Sequence, residues 1–115
     1  VGKPVVFFEI GCDDRAKTSS FYSQLFDWNI TDTGMSAEIN TGSDMGIAGH
    51  FVSLGHDPHQ YVTVYVQVED VAATLAQAVA LGGKTIVPPV DIPPGTFAWI
   101  SDPEGNMIGL WKPRG

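Results

Sequence analysis

Apolar and polar residues alternate with a period of two in several short runs and recur at a helical period in two longer ones. Residues 5 to 11 (Val-Val-Phe-Phe-Glu-Ile-Gly) predict a first strand. Asp13 and Asp14 then cap a helix reaching about Phe26, with Phe21, Tyr22, Leu25 and Phe26 as its apolar stripe. Short strands follow at 28 to 33 and 35 to 40 around Gly34, and a longer one from Met45 to Ser53. Leu54 to Gln60, with glycine, proline and two histidines, reads as a linker.

The pattern then begins again. Tyr61 to Val68 predicts a strand, and Glu69 or Asp70 opens a helix with Leu75, Ala78 and Val79 on one stripe, closed by Gly82-Gly83. Lys84 to Val87 predicts a strand, Pro88 to Gly95 a proline-rich loop, and Phe97 to Trp111 a hairpin turning at Pro103-Glu104-Gly105-Asn106. A shift of 56 residues pairs Asp14 with Asp70, Ala16 with Ala72, Thr18 with Thr74, Leu25 with Leu81 and Ile30 with Ile86. These identities fall at the cap, stripe and following strand of the same element, as a duplicated strand-helix-strand-strand-strand unit requires. The reading is one α+β domain over 1–115, with module one at about 4–53, a linker at 54–60 and module two at about 61–113.

Alternation also separates two faces. In Tyr61 to Val68 the even positions are all valine, and the odd ones are tyrosine, threonine, tyrosine and glutamine. In strand one, Val6, Phe8 and Ile10 oppose Val5, Phe7, Glu9 and Gly11. The even face is expected to pack under helices. The odd face, aromatic and hydrogen-bonding, is built to contact something.

Composition narrows the partner. Thirteen acidic and six basic residues give a net charge of −7, and the basic ones are scattered, which argues against nucleic acid and against an anionic membrane. The apolar runs are too short to span a bilayer. Single Cys12 fits a reducing compartment and an inert thiol, and the N-terminus lacks signal-peptide character, so a cytoplasmic setting is expected. The partner expected is a small organic ligand or another protein.

The duplication, together with "FYSQLFDW", "ALGGKTIVPP" and the terminal "SDPEGNMIGLW", resembles the vicinal oxygen chelate superfamily of glyoxalases, extradiol dioxygenases and bleomycin-resistance proteins. The resemblance implies two βαβββ modules forming a U-shaped, partly closed mixed sheet with helices on the outer face, and a homodimer that covers its edges. It also implies metal ligands on each leading strand and near the end of each module's last strand. Those positions fall on Phe7 and Thr63, on Gly109, and near Gly46 to His50, so the pattern predicts no metal and no cofactor.

The expected function is therefore metal-independent binding of a small molecule by Phe7, Glu9, His50, Thr63, Tyr65, Trp99 and Trp111. The alternative is an enzyme of the same superfamily, a lyase, isomerase or dioxygenase, with a non-standard metal site or with Glu9 as acid or base. Burial among aromatics would raise the Glu9 pKa. Glu9 otherwise sits exposed at the mouth of the cup or pairs with Lys or Arg. His50 faces either the cavity or solvent, and Trp99 and Trp111 either stack on a planar ligand or pack in a core or dimer interface. Trp28 reads as core or rim, His56 and His59 as solvent-facing. Asp102, Glu104 and Asn106 read as turn chemistry.

Overall fold

The structure is a computed structural model that describes residues 1–54 and 57–115. Eight strands and two helices are present among the described residues: β1 (Val5–Gly11), α1 (Arg15–Phe26), β2 (Asn29–Asp32), β3 (Ser36–Asn40), β4 (Ala48–Val52), β5 (Tyr61–Gln67), α2 (Val71–Ala80), β6 (Lys84–Ile92), β7 (Gly95–Ser101) and β8 (Met107–Pro113). The chain is an α+β fold of two βαβββ modules. By contacts it divides into two compact units, one of Phe7–Thr63 and one of Val1–Val6 with Val64–Gly115.

In the unit Phe7–Thr63 the strands run in the order β2-β3-β4-β1. β1 pairs parallel with β4, and β2-β3 and β3-β4 are antiparallel. α1 starts at Asp14, whose carboxylate accepts the Lys17 amide at 3.1 Å and so satisfies an orphan donor of the first turn. It ends at Asp27 in a left-handed conformation (φ 60°), with the Asp27 amide donating to the Ser23 carbonyl.

The core of this unit joins Cys12, Ala37, Ile39 and Phe51, with Phe8, Ile10, Tyr22, Trp28 and Ile30 packed against them. Phe8 and Ile10 are the even positions of β1, as alternation predicts. Tyr22 stacks on Phe51 at 5.3 Å and on Trp28 at 5.5 Å between ring centroids, which puts Trp28 in the core. The expected α1 stripe is corrected here. Phe21, Leu25 and Phe26 are each more than half exposed and no residue of α1 is fully buried, while Tyr22 packs against the Phe51 core.

In the second unit the order is β5-β8-β7-β6, with β5 parallel to β8 and the other two pairs antiparallel. Asp70 caps α2 through the Ala73 amide at 2.9 Å. The core joins Val68, Val71, Ala98 and Leu110, with Val66, Leu75 and Ile100 against it. The helix seam thus runs through Val71 and Leu75 rather than Val79, which is exposed. Val62 departs from the packed even face of β5 and is 71% exposed, whereas Val66 and Val68 pack with Val71 and Leu75 of α2.

Two strand expectations are also corrected. β4 begins at Ala48, since Met45–Ile47 are exposed and Gly46 takes a positive φ of 81° outside any ladder. β6 continues through Pro88-Pro89 to Ile92, with register shifts between Thr85 and Val90. An outer strand tolerates proline where a central one does not, and bulges absorb the missing donors. In the β7-β8 turn, Asp102 accepts the amides of Glu104 and Asn106 and the Asn106 side chain, as turn chemistry predicts. Asn106 beside it and these amides hold the Asp102 carboxyl below its ordinary pKa. Among the described residues no helix is long and apolar enough to cross a membrane.

Candidate functional site

The register of the unit Phe7–Thr63 places Glu9 of β1 opposite His50 of β4, and His50 opposite Glu38 of β3. Residues opposite one another across strands emerge on one face. A carboxylate, an imidazole and a second carboxylate therefore form a row on the side away from Phe8, Ile10 and Phe51. His50 Nε2 lies 2.7 Å from Glu9 Oε1, and His50 Nδ1 lies 4.0 Å from Glu38 Oε2. Tyr61, in the same unit, donates its hydroxyl to Glu9 Oε2 at 2.5 Å.

Glu9 is 5% exposed. A buried carboxyl is tolerated only when hydrogen bonds replace its lost water, and His50 and Tyr61 each supply one on a separate oxygen. Glycine makes this approach possible. The Tyr61 ring lies across Gly11, where a Cβ atom would come within 2.1 Å of it. A neutral His50 with its proton on Nε2 donates to Glu9 and presents Nδ1 as an acceptor, whereas a protonated ring donates from both nitrogens. Phe7 completes the site, its ring centroid 5.2 Å from that of His50 and tilted by 46°. Phe7 and His50 are half-buried, and Glu38 is the exposed end of the row.

Phe7, Glu9 and His50 are thus brought together. Glu9 is buried rather than exposed, and His50 and Tyr61 each hold one of its oxygens. Thr63, in the same unit, is buried. In the other unit Trp99 Nε1 donates to Tyr65 Oη at 2.7 Å, and both side chains are at most 4% exposed. Trp111 of β8 is half-buried, opposite Phe97 of β7. His59 is half-buried beside Asp13 at 3.2 Å, and His56 lies outside the described residues. Tyr61 and Glu38 are members of the row that the candidate set omits. Their odd position on β5 and their alternation with buried Ala37 and Ile39 on β3 are the signals that find them.

A divalent metal, which the fold family implies, finds few donors at the positions where the resemblance places its ligands, His50 being the one imidazole near them. Phe7 and Gly109 offer no donor atom and Thr63 offers only a hydroxyl. A carboxylate cannot simply be added at 109, because a Cβ there would fall 2.4 Å from the Tyr65 ring that Trp99 anchors. Among the described residues no group of three or more His, Cys, Asp or Glu side chains is placed to hold a metal ion.

Comparison with known proteins agrees with this architecture. The CFP32 protein of Mycobacterium tuberculosis is 49% identical over 51 residues, 44% of this chain and 20% of the relative. The anthracycline biosynthesis protein DnrV of Streptomyces peucetius is 28% identical over 125 residues, 92% of this chain and 46% of the relative. The chain therefore spans less than half the length of these curated relatives. Among solved structures, Streptomyces coelicolor methylmalonyl-CoA epimerase in complex with 2-nitronate-propionyl-CoA superposes with a TM-score of 0.69 at 15% identity, over 98% of this chain and 99% of that one. The NAD-dependent benzaldehyde dehydrogenase structure from Legionella pneumophila gives 0.72 at 17% identity, over 94% and 98%. At such identities the likeness is one of fold. The family model described as Glyoxalase/Bleomycin resistance protein/Dioxygenase superfamily matches residues 5–110, and the chain belongs to that superfamily.

Proposed function

We propose that the chain binds a small organic molecule over Phe7 and His50, with Glu9 and Tyr61 as the fixed polar wall behind them, and that binding needs no divalent metal. The observation that carries this reading is the buried Glu9 carboxyl held between His50 Nε2 and Tyr61 Oη. Burying an acid and supporting both its oxygens costs stability that a purely structural residue would avoid, so the arrangement is one that positions polar groups for a ligand. Filling of the Gly109 position by the Tyr65 ring supports the metal-free part. Thr63, buried in the same unit, acts as rigid support in this reading rather than as the first surface a ligand meets. The exposed Phe21, Leu25 and Phe26 support a homodimer, and single buried Cys12 fits a reducing compartment.

A second reading is metal-free acid–base catalysis, supported by the placement of Glu9 between two groups that can each carry a proton. Loss of label from a deuterated carbon acid, present in the native protein and absent in Glu9→Gln, would favour catalysis over binding alone.

The test of binding is a thermal-shift screen of small aromatic compounds in EDTA. A bound compound at about 100 times its dissociation constant adds about 2.7 kcal/mol of stability. Hits that stabilise the native protein and fail on Glu9→Gln support the proposal. Hits that act equally on both variants, or that need an added metal, contradict it.

A further inference from the structure

We infer that the cleft between α1, the end of β1 and the start of β5 is a second binding site, for a small uncharged aromatic molecule carrying one hydroxyl or carbonyl group. The cleft measures about 720 Å³, within the size range of small-molecule sites, and every residue lining it belongs to the unit Phe7–Thr63. Phe7, Glu9 and His50 do not line it, so it is distinct from the site proposed above. Tyr61 is common to both, since its ring lines the cleft and its hydroxyl holds Glu9.

The first ground is where the apolar pattern fails. Phe21 of α1 and Val62 of β5 lie on the stripe and the face that periodicity assigns to the core, yet they are 59% and 71% exposed. Both line this cleft, together with Ile10, Cys12, Tyr22 and Tyr61. A core-type residue left open on each of two elements, at one concavity, marks a surface that a ligand completes. The contact between copies supported by this helix is then left to Leu25 and Phe26, which lie outside the cleft.

The second ground is how the charged groups there are used. Asp13 Oδ1 lies 3.2 Å from His59 Nδ1, and Asp13 Oδ2 accepts Gln60 Nε2 at 2.9 Å. Asp14 accepts the Lys17 amide as the cap of α1. An anion would face both carboxylates with Lys17 as the one cation of the lining, and a cation would find those carboxylates already engaged. An uncharged ring loses least on leaving water and gains contact with the rings of Phe21, Tyr22 and Tyr61. Thr18 and Lys17 supply donors for its oxygen.

Three probes of one shape test the inference: naphthalen-2-ol, 2-naphthoate and naphthalen-2-ylmethanamine, titrated in EDTA against labelled protein and followed by amide and methyl shifts. The naphthol should give saturable shifts centred on Thr18, Phe21 and Val62, and should bind about tenfold tighter than either charged probe. Phe21→Ala should weaken it about tenfold and keep the unfolding midpoint, because the ring is mostly exposed. Val62→Glu, at a still more exposed position, should weaken it as well by placing a charge at the cleft. A charged probe that matches the naphthol at the same residues overturns the class. No saturable shift at the cleft, shifts centred on Phe7 and His50 instead, or native affinity in both variants overturns the site and leaves the Phe7–His50 reading standing. Cleft signals that move with protein concentration alone make this face a contact between copies and overturn the proposal too.

Discussion

His50 and Glu9 meet across a parallel strand pair, Nε2 to Oε1 at 2.7 Å, and Tyr61 holds the other oxygen of the same carboxyl. A buried acid with two donors is a unit whose members cannot be removed singly without cost. Tyr61→Phe deletes one donor and leaves the ring, so it should destabilise the chain by about 1–3 kcal/mol in urea unfolding. Paired with Glu9→Gln, the two effects should add to less than their sum, because each mutation removes the same bond. Full additivity would mean that the Tyr61–Glu9 contact has no energetic weight.

Gly109 is required by its neighbour. Gly109→Ala places a methyl group against the Tyr65 ring and should cost about 1–3 kcal/mol by overpacking. Tyr65→Leu in the same chain should recover part of that loss, because the ring it removes is the obstacle. Gly109→Ala with an unchanged denaturation midpoint would show that the ring moves aside freely.

These two sites differ in how far the sequence reveals them. Alternation along β1 placed Phe8 and Ile10 in the core and Phe7 and Glu9 opposite, as the structure has them. Alternation along β5 failed at Val62, which is exposed, because strand period says which side a residue faces and not whether anything covers it there. Cap chemistry placed the helix starts at Asp13 or Asp14 and at Glu69 or Asp70, and the structure has Asp14 and Asp70 as the caps. The bond between Glu9 and His50 was not legible, since it depends on the β1-β4 register, which joins residues 41 apart. Pro88-Pro89 was read as a loop because proline breaks central strands, and the outer place of β6 in its unit could not be known from local composition.

The helix caps give an independent check on the duplicated design. Asp14→Ala and Asp70→Ala each remove a side-chain acceptor for an N-terminal amide, and each should cost about 1 kcal/mol. Asn at either position should retain most of the stability. Chemical denaturation of the four variants measures this, and equal losses for Ala and Asn would point to charge rather than capping.

Acid sensitivity should concentrate in two turn carboxylates. Asp102 is held below its ordinary value of 3.8 chiefly by the Asn106 side chain and by the backbone amides of its turn, and Asp32 is held below the same value chiefly by Arg15. A depressed folded pKa contributes stability that is present above the unfolded pKa and is lost as pH falls through the folded one. Stability should therefore decline from about pH 4 downward. Asp102→Asn and Asp32→Asn should each flatten that decline, as followed by thermal unfolding between pH 6 and pH 2. A slope unchanged in both would assign the acid sensitivity elsewhere.

The most direct test is the side-chain nitrogen spectrum of His50, in protein labelled at histidine and kept in EDTA, recorded with and without a compound from the screen. Binding at the proposed site predicts that the His50 ring signals move on addition of the compound and that neither Glu9→Gln nor Tyr61→Phe reproduces the native response. A compound that binds tightly in EDTA and leaves the His50 ring unmoved would contradict the account.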